Sequence, residues 1–167
     1  MALPGLLLAA DLWAAVELET SVEKVVRVTA GDGEIETMLL DASRVRPGEE
    51  LRYTIEFNNT GNEIIDPGIV VITNPIPETA EYLEGTAVGD DAEVQFSVDG
   101  GASFASPDSL TVVVDGVRLP AAPRHYTTIR WIHGGILGPG ESGAVAFDVR
   151  LKEEATPGSL ADPGDGG

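Results

Sequence analysis

The residues best suited to chemistry in this chain are acids set close together. Asp90, Asp91 and Glu93, with Asp99 or Asp108 further on, could gather oxygen ligands for calcium. Calcium takes roughly 6–8 oxygens, and no segment follows the EF-hand spacing. Solvated loop carboxylates are therefore the expected state, with a calcium site as the alternative. His125 and His133 are the only histidines, and their even separation would set them on one face of a single strand. Gly134-Gly135 and Pro123 argue against such a strand, and no third ligand lies nearby in sequence. Lys24 and Lys152, the only lysines, could in principle close an isopeptide bond to Asn58, Asn59 or an aspartate; a surface salt bridge is the simpler expectation. The chain has no cysteine, which excludes disulfides, thiolate metal sites and a cysteine nucleophile. No serine occupies a Gly-x-Ser-x-Gly elbow. These residues point to a protein that is not an enzyme and carries no resident cofactor.

Ser97-Val98-Asp99-Gly100-Gly101-Ala102-Ser103-Phe104 resembles the Asp-box of sialidases and other β-propellers, Ser-x-Asp-x-Gly-x-Ser/Thr-Phe/Trp. In those proteins the aspartate accepts backbone hydrogen bonds within a hairpin turn and the aromatic ring packs beneath it. One copy does not make a propeller, which repeats its blades. A structural turn is expected here, with glycan recognition as the alternative. Asn58-Asn59-Thr60 is formally a glycosylation sequon and reads as a turn.

The elements that must position these residues are strands. Val45-Arg46-Pro47-Gly48-Glu49-Glu50 and Leu137-Gly138-Pro139-Gly140-Glu141 repeat one phrase, a Pro-Gly-Glu turn followed by alternating apolar and polar residues. After the first, Leu51, Tyr53, Ile55 and Phe57 form the strongest period-two apolar face in the chain; after the second, residues 144–151 form a closing strand. Residues 16–29 also alternate, with Val16, Leu18, Val22, Val26 and Val28 on one face and Glu17, Glu19, Ser21, Glu23 and Arg27 on the other. Those five apolar residues are the candidate protein-interaction face. Lys24 breaks the apolar face and Val25 the polar one, predicting a bulge or a change of sheet there. Fully extended, this segment would span roughly 46 Å, longer than a usual strand, so it should split in two or project from the domain.

Ala30-Gly31-Asp32-Gly33 predicts a hairpin turn, with Ile35, Thr37 and Leu39 on the return strand. Residues 64–73 are apolar on both faces, predicting a strand buried between layers and ended by Asn74-Pro75-Ile76-Pro77. Short strands are expected at 81–84, 93–98, 110–114 and 127–132. No helical periodicity extends beyond a turn or two, so the predicted class is all-β.

At 167 residues the chain fits one domain able to bury a core. Its formal charge of −18, from 28 acids against 10 basic residues, makes a phosphate backbone an unfavourable partner and excludes nucleic acid. Residues 1–15 read as a leader or signal-like remnant. Leu6-Leu7-Leu8-Ala9-Ala10 is apolar and Leu12-Trp13-Ala14-Ala15 resembles a cleavage region, but no basic residue precedes them and Asp11 interrupts the run. No segment approaches the roughly 20 apolar residues of a membrane span. Residues 153–167, rich in Pro, Gly, Ala and Asp, read as a flexible tail.

Over residues 43–152 these features resemble the conserved-repeat domain of bacteria and archaea, catalogued as a domain of unknown function. The resemblance rests on Pro47-Gly48-Glu49, Asn58-Asn59-Thr60-Gly61-Asn62, Ile72-Thr73-Asn74-Pro75-Ile76-Pro77, Tyr82-Leu83-Glu84-Gly85-Thr86-Ala87, Thr128-Ile129-Arg130-Trp131 and the second Pro-Gly-Glu phrase. It implies an immunoglobulin-like Greek-key β-sandwich over residues 16–152, with the N-terminal hairpin as an addition, in an exported or cell-surface prokaryotic protein. The implied function is a structural or adhesive module outside the cell or in the periplasm, with other protein domains or copies of itself as partners. Two alternatives stand beside it. One is a filament subunit polymerising by β-strand addition; the other is a calcium- or glycan-binding module.

Overall fold

The computed structural model describes residues 16–153. The expected leader at 1–15 and nearly all of the expected tail at 153–167 lie outside the described residues. Eleven strands follow one another: β1 (Val16–Thr29), β2 (Ile35–Asp41), β3 (Glu50–Asn59), β4 (Val71–Pro75), β5 (Ala80–Tyr82), β6 (Val88–Gly89), β7 (Ala92–Ser97), β8 (Thr111–Val114), β9 (Val117–Pro120), β10 (Thr128–His133) and β11 (Ser142–Leu151). Two single 3-10 turns, Pro107–Ser109 and Pro123–His125, are the only helical segments among the described residues. The chain is all-β. Every strand pairing is antiparallel. The larger sheet runs β2-β1-β3-β11-β5 with β6 also beside β11, the smaller runs β4-β10-β7, and β8–β9 form a separate hairpin.

The repeated Pro-Gly-Glu phrase builds the centre of the larger sheet. In each copy glycine takes a left-handed φ, +84° at Gly48 and +75° at Gly140, which a side chain would strain. In each the glutamate carboxylate accepts the N–H three residues back: Glu49 from Arg46 at 2.9 Å, Glu141 from Gly138 at 2.6 Å. The two strands so launched, β3 and β11, lie side by side from Ser142 opposite Asn58 to Arg150 opposite Glu50. Each turn clasps the far end of the other strand, Gly48 N–H on Leu151 O (2.8 Å) and Gly140 N–H on Asn59 O (2.8 Å). The phrase is thus a reciprocal fastening as well as a pair of strand starts.

One core cluster draws on both sheets. Leu51, Ile55, Phe57, Phe147 and Val149 come from the larger sheet, and Ile72, Phe96, Ile129 and Trp131 from the smaller. Each contributes about 2 kcal/mol by leaving water. Rings organise the middle: Trp131 lies 5.8 Å from Phe147, which stacks on Tyr53 at 5.0 Å, and Phe96 stacks on Tyr126 at 4.5 Å. Asp148 is buried on the opposite face of β11. Arg52 pairs with it through two hydrogen bonds of 2.7 and 2.9 Å.

Two expectations are corrected. No bulge interrupts β1 at Lys24: its pairing with β3 runs residue by residue to Val25 opposite Glu50, and its pairing with β2 starts at Glu23 opposite Asp41, in the same sheet. The break in the apolar pattern is absorbed by side chains instead. Lys24 reaches Glu49 (2.6 Å), and Val25 is buried on the acid-bearing face. Residues 64–73 are not a deep strand. Asp66-Pro67-Gly68 turns the chain, Ile65 makes only an isolated bridge to Leu137, the strand proper is 71–75, and Ile64 and Ile69 are 62% and 69% exposed. The projection expected of residues 16–29 is present, since 26–29 extend past the end of β3 and pair only with β2.

Candidate interaction surface

The apolar face of β1 is aligned with the core but has no layer over it among the described residues. Residues directly opposite in antiparallel strands share a face. Leu18 lies opposite Phe57, Val22 opposite Tyr53 and Val16 opposite Asn59, so these β1 residues continue the core face of β3. The core-facing side chains of β3 and β11 pack with those of the three-stranded sheet in one cluster, but β1 and β2 supply none of that cluster's buried residues. Val16, Leu18, Val22 and Val28 are exposed, Leu18 to 58%, and Val26 is half-buried. On β2, Met38 lies opposite Val26 and Leu40 opposite Lys24; both are also exposed, extending the same apolar face. All five predicted interaction residues therefore lie on one sheet face, with Met38 and Leu40 as additions that sequence reading missed.

The reverse face is acidic. Glu17, Glu19 and Glu23 follow one another on β1, and Glu19 stands directly opposite Glu56 of β3. Like charges placed so repel. The salt bridges among the described residues do not reach Glu17, Glu19 or Glu56: Arg27 and Arg150 pair with Glu50, and Arg52 with Asp148, further along this same face, and Lys24 pairs with Glu49. A groove of about 470 Å³ runs past Glu17, Leu18, Glu19, Glu56, Phe57 and Asn58.

The motifs that suggested chemistry are occupied with holding loops. Asn59 is fully buried; its amide donates to Glu63 O (2.7 Å) and Leu137 O (3.0 Å), and its Oδ1 accepts Gly61 N–H (3.0 Å). Lys24 pairs opposite Leu51, about 27 Å along the strand from the Asn59 end at roughly 3.4 Å per residue. Lys152 donates to Glu78 O at 2.9 Å, also at the far end of β11 from Asn58. Neither lysine is placed to cross-link with Asn58 or Asn59.

The segment resembling an Asp-box is a closed turn. Buried Ser97 donates its hydroxyl to Asp99 Oδ1 (2.6 Å) and accepts Gly101 N–H (2.9 Å). Asp99 also accepts the Ser103 hydroxyl (2.5 Å) and N–H (2.9 Å). Hydrogen bonds from the Ser103 and Ser97 hydroxyls, then from Ser103 N–H, hold its carboxyl well below the usual carboxylate range. Phe104 carries the Arg130 guanidinium 3.5 Å from its ring centre, a cation–π contact. Both carboxylate oxygens thus serve the turn.

Asp90 and Asp91 form the turn that carries the chain from β6 in the larger sheet to β7 in the smaller, and Asp91 takes a left-handed φ of +51°. The Asp91 carbonyl accepts Gly134 N–H (2.6 Å), and Glu93 accepts the Gln95 side-chain amide (2.8 Å). Among the described residues no three acids or histidines come together as a metal cluster. His125 and His133 sit at opposite ends of β10. His125 Nδ1 accepts Ala122 N–H (2.9 Å), whereas His133 packs edge-on against Phe57.

A second apolar surface was not foreseen. In the β8–β9 hairpin Val112 pairs with Leu119 and Val114 with Val117, so all four share one face, and Val114, Val117 and Leu119 are exposed. Val117-Arg118-Leu119-Pro120 is too short and too mixed for its sequence to announce a strand. No helix among the described residues is long and apolar enough to cross a membrane. The chain matches no protein-family model, no curated protein and no solved structure.

Proposed function

We propose that this chain is a non-enzymatic structural or adhesive module of the cell surface or of an extracellular assembly, engaging other protein domains through the β1–β2 flank. One observation carries the reading: a sheet face of Val16, Leu18, Val22, Val28, Met38 and Leu40 continues the core face yet faces solvent. An exposed apolar sheet face of this extent is the ordinary signature of a protein contact. The internal use of Asp99, Asn59 and the Arg52–Asp148 pair supports a scaffold rather than a reaction centre, since their polar atoms already serve loops and strands.

The fold proposed for this module is an immunoglobulin-like Greek-key sandwich, and the resemblance of residues 43–152 to the conserved-repeat domain supports it. Two antiparallel sheets sharing one cluster of rings and aliphatics agree with that proposal. The chain path is a variant: its last strand lies beside β3 in the larger sheet, whereas constant-type immunoglobulin domains end in the smaller one.

Immunogold electron microscopy of intact cells tests the function. Label on the cell exterior is expected, and its loss in the Leu18→Glu/Met38→Glu double variant, provided circular dichroism shows the variant folded. Label confined to the interior overturns the reading.

A further inference from the structure

We propose that the open edge of β1 along residues 16–22 is a slot for an extended strand of another chain, one in which apolar residues alternate with lysine or arginine. This deepens the docking reading above and rests on it. Residues 16–22 have β3 on one side, and β2 reaches only as far as Glu23 on the other. Every second residue of such a strand turns its N–H and C=O away from its single neighbour, so the slot offers a row of backbone groups with no ladder partner among the described residues, about 23 Å long at roughly 3.3 Å per residue.

The side chains flanking that edge specify the visitor. On one face stand Val16, Leu18 and Val22, exposed, and on the other Glu17 and Glu19, with Glu56 directly behind Glu19. A strand added here presents alternate residues to these two faces. Apolar side chains would cover Leu18 and Val22. Basic ones would stand beside Glu17 and Glu19 and relieve the Glu19–Glu56 repulsion, for which the described salt bridges supply no cation.

The charge pattern also excludes a second copy. The chain carries −18, and residues 1–15 and 154–167 contain no lysine or arginine. Its alternations of basic residues are two: Arg44-Val45-Arg46, stopped by Pro47 and tied to Glu49 through the Arg46 N–H and carbonyl, and Arg150-Leu151-Lys152, held at the end of β11 between β3 and β5 with Arg150 on Glu50 and Lys152 on Glu78 O. The strand must therefore come from a different, basic partner.

The test is fluorescence anisotropy with three labelled peptides: Val and Lys strictly alternating over seven residues, the same composition in two blocks, and Val alternating with Glu. The full chain should bind the alternating basic peptide at least about tenfold more tightly than the block peptide. Glu17→Lys/Glu19→Lys should lose at least about tenfold, while Glu81→Lys/Asp108→Lys, with the same charge change, should lose under about threefold. Equal binding of the two basic peptides, or equal losses in the two variants, would reduce the effect to bulk charge and overturn the proposal. Binding that appears only after removal of residues 1–15 would assign the slot to the chain's own segment and overturn it too. If the exterior label persists while the peptide test fails, only the partner's chemistry is refuted. If the label is interior, the docking reading itself falls.

Discussion

Replacing Asn59 by alanine removes three hydrogen bonds from a fully buried side chain, to Glu63 O, Leu137 O and Gly61 N–H. Leu137 O keeps the Ile65 N–H at 2.9 Å, so its loss is partial. At about 1 kcal/mol per bond, with more for groups left buried and unpaired, the expected cost is about 3–4 kcal/mol. For a chain of this size that lowers Tm by about 10 °C. Asn59→Asp is the sharper probe because it keeps the shape but turns a carboxylate oxygen toward two carbonyl oxygens. At neutral pH it should cost at least as much as alanine. Relative to wild type it should recover part of the loss in acid, where a protonated carboxyl can donate again. Urea unfolding followed by circular dichroism reads both. A loss under about 1 kcal/mol in Asn59→Ala, or an aspartate variant more stable than the alanine one at pH 7, would refute the fastening role.

Other outcomes follow from the same geometry. The Asp99 carboxyl titrates in the folded chain below its ordinary value of 3.8, so its bonds stabilise the fold above that value and are lost as pH falls through the folded-state value. Between about pH 4 and pH 2, wild type should lose stability more steeply than Asp99→Asn in acid titrations followed by urea melts. A Cβ on Gly143 would lie 2.8 Å from Phe57 Cε2 and closer still to Cζ, so Gly143→Ala should cost about 1–3 kcal/mol by calorimetry. Leu18→Glu, on the uncovered face, should change stability by less than about 0.5 kcal/mol; a larger loss would mean that face is covered in the free chain. Millimolar calcium or chelator should leave Tm unchanged, since no three acids converge among the described residues.

Much of the fold was legible because strands announce themselves by period two and by their turns. The faces of β3 and β11 could be read from Leu51-Ile55-Phe57 and Val145-Phe147-Val149, each set behind a Pro-Gly-Glu phrase. What the pattern could not tell was which apolar faces acquire a cover. Val16, Leu18 and Val22 alternate as well as Leu51 and Ile55 do, yet stay exposed because the opposing sheet has only three strands. Sheet width depends on long-range pairing, which no local window contains. The same limit hid Val25, buried on the face that sequence reads as polar, and made residues 64–73 look deep when they form a turn and an edge. The Asp99 turn was legible because its bonds are local, within four residues of the aspartate, whereas the Glu19–Glu56 opposition needed the register of two distant strands.

The claim at the centre is that β1 has an open edge at residues 16–22, and amide hydrogen exchange by NMR on the free chain tests it most directly. Alternate amides along this stretch, those turned toward β3, should be protected, and the ones between them should exchange near the rate of unstructured peptide. Uniform protection of all the amides from Val16 to Val22 would mean that the edge is already paired, and would contradict the account.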